Sequence, residues 1–468
     1  MRAVTKRSRV FVVMAIPTLF SAGAFAAVSA EEAKQLGGPN LTEWGAEKTA
    51  NKDGTIPAYT GKGVKWSSPD PKGDPGAATH PYNDKPLFSI TAQNYQQYAD
   101  KLDAQAEMFK KFPAYRMDVY QTHRDFVYPK RVLDNSIRNA TSCKGVDNDL
   151  RLEGCYAGFP FPVPKTGSQV MWNKLINYQG PAWNSPTNCW VVNPGGDGKG
   201  KPVLQTYSRA QQEAPIYFPE NADKVVPTNA IYWRIVQSNL GPTRKVGEKI
   251  LIHDSLDMAG LGRRVWQYIP GQRRVKLAPD LAYDTPSPNS GGASTMDDAK
   301  GFLGGMNRFD WKLIGKKEKY LNQNAFEFHD RSKDCSDEKT HSTSYFPNPD
   351  CMRWELHRVW VVEAKLKPEF RHIYHRRMFY FDEDAPGCDA LENYDGNGKL
   401  FRIGFQQCYP NSNEFGGGSF DNTWLTDLQT GVWASQGTIG FKGAGWVQVP
   451  RWEDTKFSPE AIAGEGIR

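Results

Sequence analysis

From about residue 115 onward, apolar and polar positions alternate with period two in short runs, each closed by a cluster of Pro, Gly, Asn or Asp. That pattern predicts strands, clearest over 231–237, 265–269, 354–366, 372–381 and 400–407. The separators, such as "VNPGGDGKGKP", "TPSPNSGG" and "YPNSNEFGGGS", are turn and loop chemistry. Between Thr91 and Pro113 the period changes. Tyr95, Tyr98, Leu102, Ala106 and Phe109 recur at spacings of three and four, which predicts one helix with a half-aromatic stripe. No unit repeats at a fixed period, and no linker divides one strand set from another, so a single large, mainly antiparallel β domain with a few helices is expected.

The strand faces sharpen this. In "HRVWVVEAKL" one face carries Arg358, Trp360, Val362, Ala364 and Leu366, the other His357, Val359, Val361, Glu363 and Lys365; "RHIYHRRMFYF" is mixed in the same way. Neither strand has a purely polar side, so both faces of the pair are expected to be partly covered. In "RRVWQYIPGQRRVKL", Arg264, Trp266 and Tyr268 share one face while Val265, Gln267 and Ile269 share the other. The turn at Pro270-Gly271 makes a hairpin that sends Arg263-Arg264 and Arg273-Arg274 to opposite ends of the ladder, so these arginines do not form a basic patch.

The first thirty residues change the picture of charge and location. Arg2, Lys6, Arg7 and Arg9 precede an apolar run that ends in small residues, the form of a secretory signal peptide cleaved after about residue 26 to 30. Removing it takes four of the 58 basic residues and none of the 52 acidic ones, so the net charge falls from +6 to +2. A nearly neutral chain with interspersed charges has no footprint for nucleic acid. Residues 31–85, rich in Gly, Pro, Thr and Asn, read as an extended wrapping arm; 86–455 as the β domain; 456–468 as a tail.

Seven cysteines in an exported chain are expected to be mostly paired. Proximity suggests Cys143 with Cys155, Cys335 with Cys351, and Cys388 with Cys408, leaving Cys189 as a buried thiol. Catalytic constellations are weak. His372 and His375 point to opposite faces of a strand, so no metal site is expected there. Asp382, Glu383 and Asp384 are adjacent carboxylates at a strand end, and glycoside chemistry needs two held apart across a sugar. Neither a nucleophile elbow nor a phosphate loop stands in a strand-to-helix context. The positive signal is aromatic: 14 Trp, 20 Tyr and 24 Phe, a subset of which could line an apolar cavity.

Five ordered blocks carry a resemblance. They are "LGGPNLTEWGAEKTANKDGTIPAYTG" from Leu36, "YRMDVYQTHRDF" from Tyr115, "GFPFPVPKTGSQVMWN" from Gly158, "RRVWQYIPGQRRVKLAPDLAYDTP" from Arg263 and "HRVWVVEAKLKPEFRHIYHRRMFYFDED" from His357. Together they resemble a bacterial exported family known as domain of unknown function 1329, similar to the Lol-type outer-membrane lipoprotein-sorting carriers. The resemblance implies an incompletely closed antiparallel β-barrel, with helices covering the open side over an apolar cavity. It also implies a non-enzymatic periplasmic carrier of a lipid-like ligand without a cofactor, working with a resistance-nodulation-division type exporter toward an outer-membrane acceptor, and at most peripheral at that membrane. The expected wall residues are Phe109, Trp172, Trp266, Tyr268, Trp360, Phe379 and Phe381, with Arg264, Arg273 and Arg274 at the rim and the stretch from Tyr95 to Phe109 as a lid. The rival readings are a secreted hydrolase, whose acid or nucleophile residues would converge inside the cavity, and a ligand-free interaction protein with a filled interior.

Overall fold

The period-two runs assemble into one antiparallel sheet of fifteen strands. A computed structural model describes residues 28–66, 80–327, 335, 337, 340–412, 415–438 and 445–464. Of the sequence-predicted export signal, residues 1–27 lie outside the described residues. Two small two-stranded sheets come first in the chain: β1 (Phe88–Ile90) with β2 (Met117–Val119), and β3 (Lys144–Val146) with β4 (Arg151–Glu153). The main sheet contains β5 (Ala182–Pro186), β6 (Asn188–Val192), β7 (Pro202–Glu213), β8 (Ile231–Gly241), β9 (Lys249–Ser255), β10 (Arg263–Ile269), β11 (Arg274–Leu277) and β12 (Phe309–Leu321). It continues with β13 (Glu355–Leu366), β14 (Arg376–Asp382), β15 (Asp389–Tyr394), β16 (Leu400–Pro410), β17 (Gly418–Asp427), β18 (Trp433–Thr438) and β19 (Val447–Gln448).

The hydrogen-bonded order is β11-β10-β9-β8-β7-β6-β18-β17-β16-β15-β14-β13-β12, with β5 and β19 branching beside β7. The edge strands β11 and β12 do not pair, so the sheet is not closed. They are nevertheless consecutive in the chain, and the segment 278–308 that joins them has to cross from one edge to the other. It does so over one face, here called inner, where its Leu281, Met296, Phe302, Leu303 and Met306 are buried with Trp233, Ile235, Ile250, Ile252, Val265, Phe379 and Phe381 of the sheet. Of the α-helices α1 (Ala30–Ala33), α2 (Ala99–Leu102), α3 (Ala106–Lys111), α4 (Lys130–Ser142), α5 (Gly167–Leu175) and α6 (Pro459–Gly464), α5 covers the rest of that face with Val170, Met171 and Trp172, against Val362 and Ala364.

The outer face of the β12–β18 half is covered as well. Val359, Val361, Tyr380, Ile403, Phe405 and Trp424 pack there against Leu102, Met108, Phe109 and Trp354. Both faces of β13 and β14 are therefore buried, as their mixed patterns indicated. The single helix predicted from Thr91 to Pro113 breaks into short helical turns, including α2 (Ala99–Leu102) and α3 (Ala106–Lys111). The cause sits at Asp103, whose φ is 52°. Its carboxylate pairs with Lys317 at 2.6 Å and Lys319 at 3.0 Å, and Lys319 also donates to the Leu102 carbonyl at 2.7 Å, so the sheet holds the chain in a positive-φ turn that ends the helix. This stretch packs on the outer face and does not lie over the inner one, which corrects the expectation that it is the lid.

Residues 34–66 run along the inner core and the β13–β14 end. Trp44 packs edge-on to Tyr128 and donates to the Glu383 carbonyl at 3.1 Å, and Trp66 donates to the Pro410 carbonyl. At the other end of the chain, Phe457 and Ile462, the latter in α6 (Pro459–Gly464), pack on the outer face of β8–β10 with Val236, Leu251 and Tyr268. Cys143–Cys155 and Cys335–Cys351 are disulfides. Cys388 and Cys408, expected as a third bridge, are instead two buried thiols sharing a hydrogen bond; burial raises both, so each stays protonated. Among the described residues no helix is long and apolar enough to cross a membrane.

Candidate functional site

Because 278–308 is a connection and not a second sheet, it covers the inner face without filling it. Between it and β7–β10 lies a cavity of about 720 Å³, counted to its open mouth. Period-two alternation puts Trp233, Ile235 and Gln237 of β8 and Ile250 and Ile252 of β9 on its floor. Met296, Ala299 and Leu303 of the crossing segment form its roof. Its polar lining is mostly uncharged: Thr187, Gln212, Gln237, Ser287, Asn289 and Gln436. A smaller cavity of about 450 Å³, lined by Trp183, Tyr217, Tyr232, Phe302 and Phe420, shares Trp233, Lys300 and Leu303 with the first.

Lys300 stands where the two meet. Its ammonium donates to Gln212 Oε1 at 2.9 Å and Gln179 Oε1 at 3.2 Å, and lies 5.1 and 5.4 Å from the ring centroids of Trp233 and Trp183. Arg263, inward from β10, makes a two-pronged pair with Asp254 at 2.8 and 2.7 Å and donates to the Leu303 carbonyl, so it ties the roof to the sheet. Farther along the roof, Asp297 and Asp298 are held by the β14 end. Arg377 bonds both, at 2.8 and 3.0 Å, His372 meets Asp297 at 3.0 Å, and the Tyr374 hydroxyl donates to Asp298 at 2.8 Å. Burial opposes the charge on Asp297, but Arg377 and His372 outweigh it and hold the carboxyl well below its usual range. Cys189 also lines the larger cavity; burial pushes its thiol up to about 11, so it is no nucleophile at neutral pH.

The structure scatters the expected wall residues. Phe379 and Phe381 stack at 5.7 Å in the inner core, and Phe379 meets Phe302, which lines the smaller cavity. Trp172 is buried in α5 and donates to the Asp149 carbonyl. Trp360 is half-buried on the inner face beneath the Lys316 ammonium. Phe109 stacks on Tyr95 in the outer cluster. Trp266 and Tyr268 lie on the outer face of β10 under the C-terminal segment, with Arg264 over the Trp266 ring; Val265 is the inward residue. Arg273 and Arg274 are exposed at the β10–β11 turn. The residues that line the cavity were not singled out from sequence. Their available signal was the alternation Trp233-Ile235-Gln237 facing Ile250-Ile252, together with a connection too long for a simple turn at 278–308.

The carboxylates of "FDED" are far from a free acid–base pair. His357 lies between Asp382 at 3.0 Å and Glu355 at 3.2 Å, and Asp384 takes two bonds from Arg124 at 2.6 and 2.8 Å. His357, Asp382 and Asp384 offer ligand atoms within 4.8 Å of one another. Burial opposes a charged imidazole, but the two carboxylates prevail and push its pKa up to about 9, so a proton already fills the place a cation would take. The group is a buried clamp: Arg124 also donates to the Glu47 and Pro57 carbonyls, fixing the N-terminal segment to the β13–β14 end.

An open antiparallel sheet whose edges are joined by a segment laid over an internal cavity defines a half-barrel with a pocket on its covered face. The chain belongs to the family described as protein of unknown function (DUF1329), whose model matches residues 89–463. An uncharacterized protein of Pseudomonas aeruginosa is 35% identical over 460 residues, covering 96% of this chain and 97% of its own. Among solved structures, a DUF1329 family protein from Desulfovibrio piger is 11% identical, covering 61% of this chain and 92% of its own, with a TM-score of 0.39. An outer membrane lipoprotein-sorting protein domain from Vibrio parahaemolyticus is 12% identical, over 60% and 91%, with a TM-score of 0.38. A LolA superfamily protein from Nitrosomonas europaea is 11% identical, over 63% and 98%, with a TM-score of 0.34.

Proposed function

We propose that the protein is an exported, periplasmic carrier that holds a lipid-like ligand between the inner face of its sheet and the segment 278–308. The observation that carries this reading is the cavity with its apolar floor of Trp233, Ile235, Ile250 and Ile252 and its amide-rich lining. A chain of about sixteen carbons costs on the order of 12 kcal/mol to keep in water, so a lipid crossing an aqueous compartment needs such a sleeve. The lining of both cavities, among the described residues, holds no carboxylate and no imidazole, which favours a carrier over a hydrolase.

Loading works through the roof. The stretch around Asp297 and Asp298 is pinned by buried ion pairs, whereas the stretch near residues 288 and 289 is tied to the sheet by neutral acceptors, the Asn289 carbonyl to Thr206 at 3.3 Å and the Pro288 carbonyl to Lys245. The latter is the part that lifts to admit a chain longer than the closed cavity. Exchange with an inner-membrane exporter and an outer-membrane acceptor completes the cycle. Native mass spectrometry of protein purified from periplasm without detergent tests the reading. A co-purifying lipid mass that is lost on delipidation supports it, and protein that is bare from every preparation and takes up no acyl probe ends it.

A further inference from the structure

The lining of the larger cavity is unusual in that its polar groups are nearly all amides and hydroxyls, while its two cations are already engaged. Arg263 is matched by both oxygens of Asp254 and by the Leu303 carbonyl; the Lys300 ammonium is held by Gln179, Gln212 and two indole faces. Gln212 is likewise used up: its Nε2 donates to Ser185, and its Oε1 accepts from Trp233 and Lys300. Gln436 differs. It stands on β18 directly across from Cys189 of β6, both lining the cavity, and its side chain is more than nine-tenths buried. Its Nε2 has no hydrogen-bond partner among the described residues. A buried donor left unanswered carries a desolvation penalty that an arriving acceptor relieves.

Resting on the carrier reading above, we infer that the cavity recognises an uncharged head: an amphiphile whose ester, amide or hydroxyl oxygen accepts from Gln436 Nε2, with Gln237, Asn289 and Ser287 as the neighbouring polar groups. An anionic head would surrender its hydration to a wall in which Arg263 is already neutralised by Asp254 and most other polar groups are amides and hydroxyls, and such a burial is unfavourable. A hydroxyl- or ester-bearing head replaces its water bonds one for one, and sites built this way discriminate strongly against ligands that cannot match them.

Isothermal titration of the delipidated full-length mature protein with monolaurin and, separately, with dodecyl phosphate, each kept below its aggregation threshold, reads the difference at equal chain length. Monolaurin is expected to bind at least tenfold more tightly. Q436L is expected to remove most of that preference while leaving the melting temperature unchanged, because it deletes a donor that has no partner among the described residues. If Q436L does not fold, N289L, on the half-buried roof, takes its place with the same expectation. Dodecyl phosphate binding as tightly as monolaurin, or a preference that survives the substitution, overturns the uncharged-head inference and leaves the carrier reading standing. Failure of both amphiphiles to bind overturns the carrier reading itself.

Discussion

The two halves of the sheet are built differently. From β12 to β18, apolar side chains are buried on both faces, by α5 and the roof on one side and by the 95–111 stretch and Trp354 on the other. Buried ion pairs lie there: Arg377 with Asp297 and Asp298, His357 with Asp382 and Glu355, Lys174 with Asp389. From β7 to β11 the inner face is covered mainly by the crossing segment and keeps a cavity, while the outer face is capped by a few residues around Phe457 and Ile462. The contrast assigns the roles. One half is a filled scaffold to which the roof is anchored; the other keeps the open space in which the proposed ligand would lie.

The comparison can be broken by substitutions, and the scaffold should give the largest effects. Arg377→Met leaves Asp297 and Asp298 buried without their cation and should cost about 3–5 kcal/mol. Phe379→Ala, in the filled inner core, should cost a similar amount, about 3–5 kcal/mol, by opening a new void. Urea denaturation of each variant measures both. If either costs no more than a surface substitution, that half is not the scaffold.

Protonation gives the next largest signal. The folded-state pKa of His357, about 9, lies above the unfolded value, so its contribution is complete below pH about 6.5 and is lost as pH rises through about 9. That contribution is at most about 3 kcal/mol, because each tenfold gain in proton affinity on folding is worth about 1.4 kcal/mol. His357→Gln should therefore flatten this alkaline decline in stability. His253, on the cavity half, runs the other way. Burial and the neighbouring Arg264 lower its pKa to about 4, so its contribution is present above pH about 6.5 and is lost as pH falls through about 4. Chemical denaturation across pH 4 to 10 separates the two histidines by sign.

Smaller effects belong to the cavity wall. Ile250→Ala enlarges space that is already open and should cost about 2 kcal/mol, the low end for such a truncation. A thiol count in denaturant without reductant should return three, from Cys189, Cys388 and Cys408; a count of one would mean that Cys388 and Cys408 are bridged after all. Alkylation of Cys189 at alkaline pH, where its thiol ionises, should slow when monolaurin is bound, since that thiol lines the cavity.

Much of the fold was legible because alternation is dictated by the pleat. The strands at Ile231–Gly241, Arg263–Ile269 and Glu355–Leu366, the β10–β11 hairpin and the double-sided burial of β13 follow from period two and turn chemistry. Which of two faces turns inward did not follow. On β10 the larger aromatics Trp266 and Tyr268 pack outward under Phe457, a contact between residues far apart in sequence, and the smaller Val265 faces in. The helix from Thr91 to Pro113 failed for a similar reason: Asp103 is drawn out of helical geometry by lysines of β12. The roof was hidden because its buried anchors, Asp297 and Asp298, sit in a segment rich in Gly, Ser and Pro that reads locally as an exposed loop.

If ligand lies between β8–β9 and the crossing segment, filling that space excludes it. Ile252→Trp places an indole into the larger cavity, at an overpacking cost of about 1–3 kcal/mol that circular dichroism and thermal melting can monitor. Titrated with monolaurin alongside the parent protein, the folded variant should bind at least tenfold more weakly, while a bulky substitution on the outer face, Val275→Trp, should leave binding unchanged. Undiminished binding by folded Ile252→Trp would contradict the account.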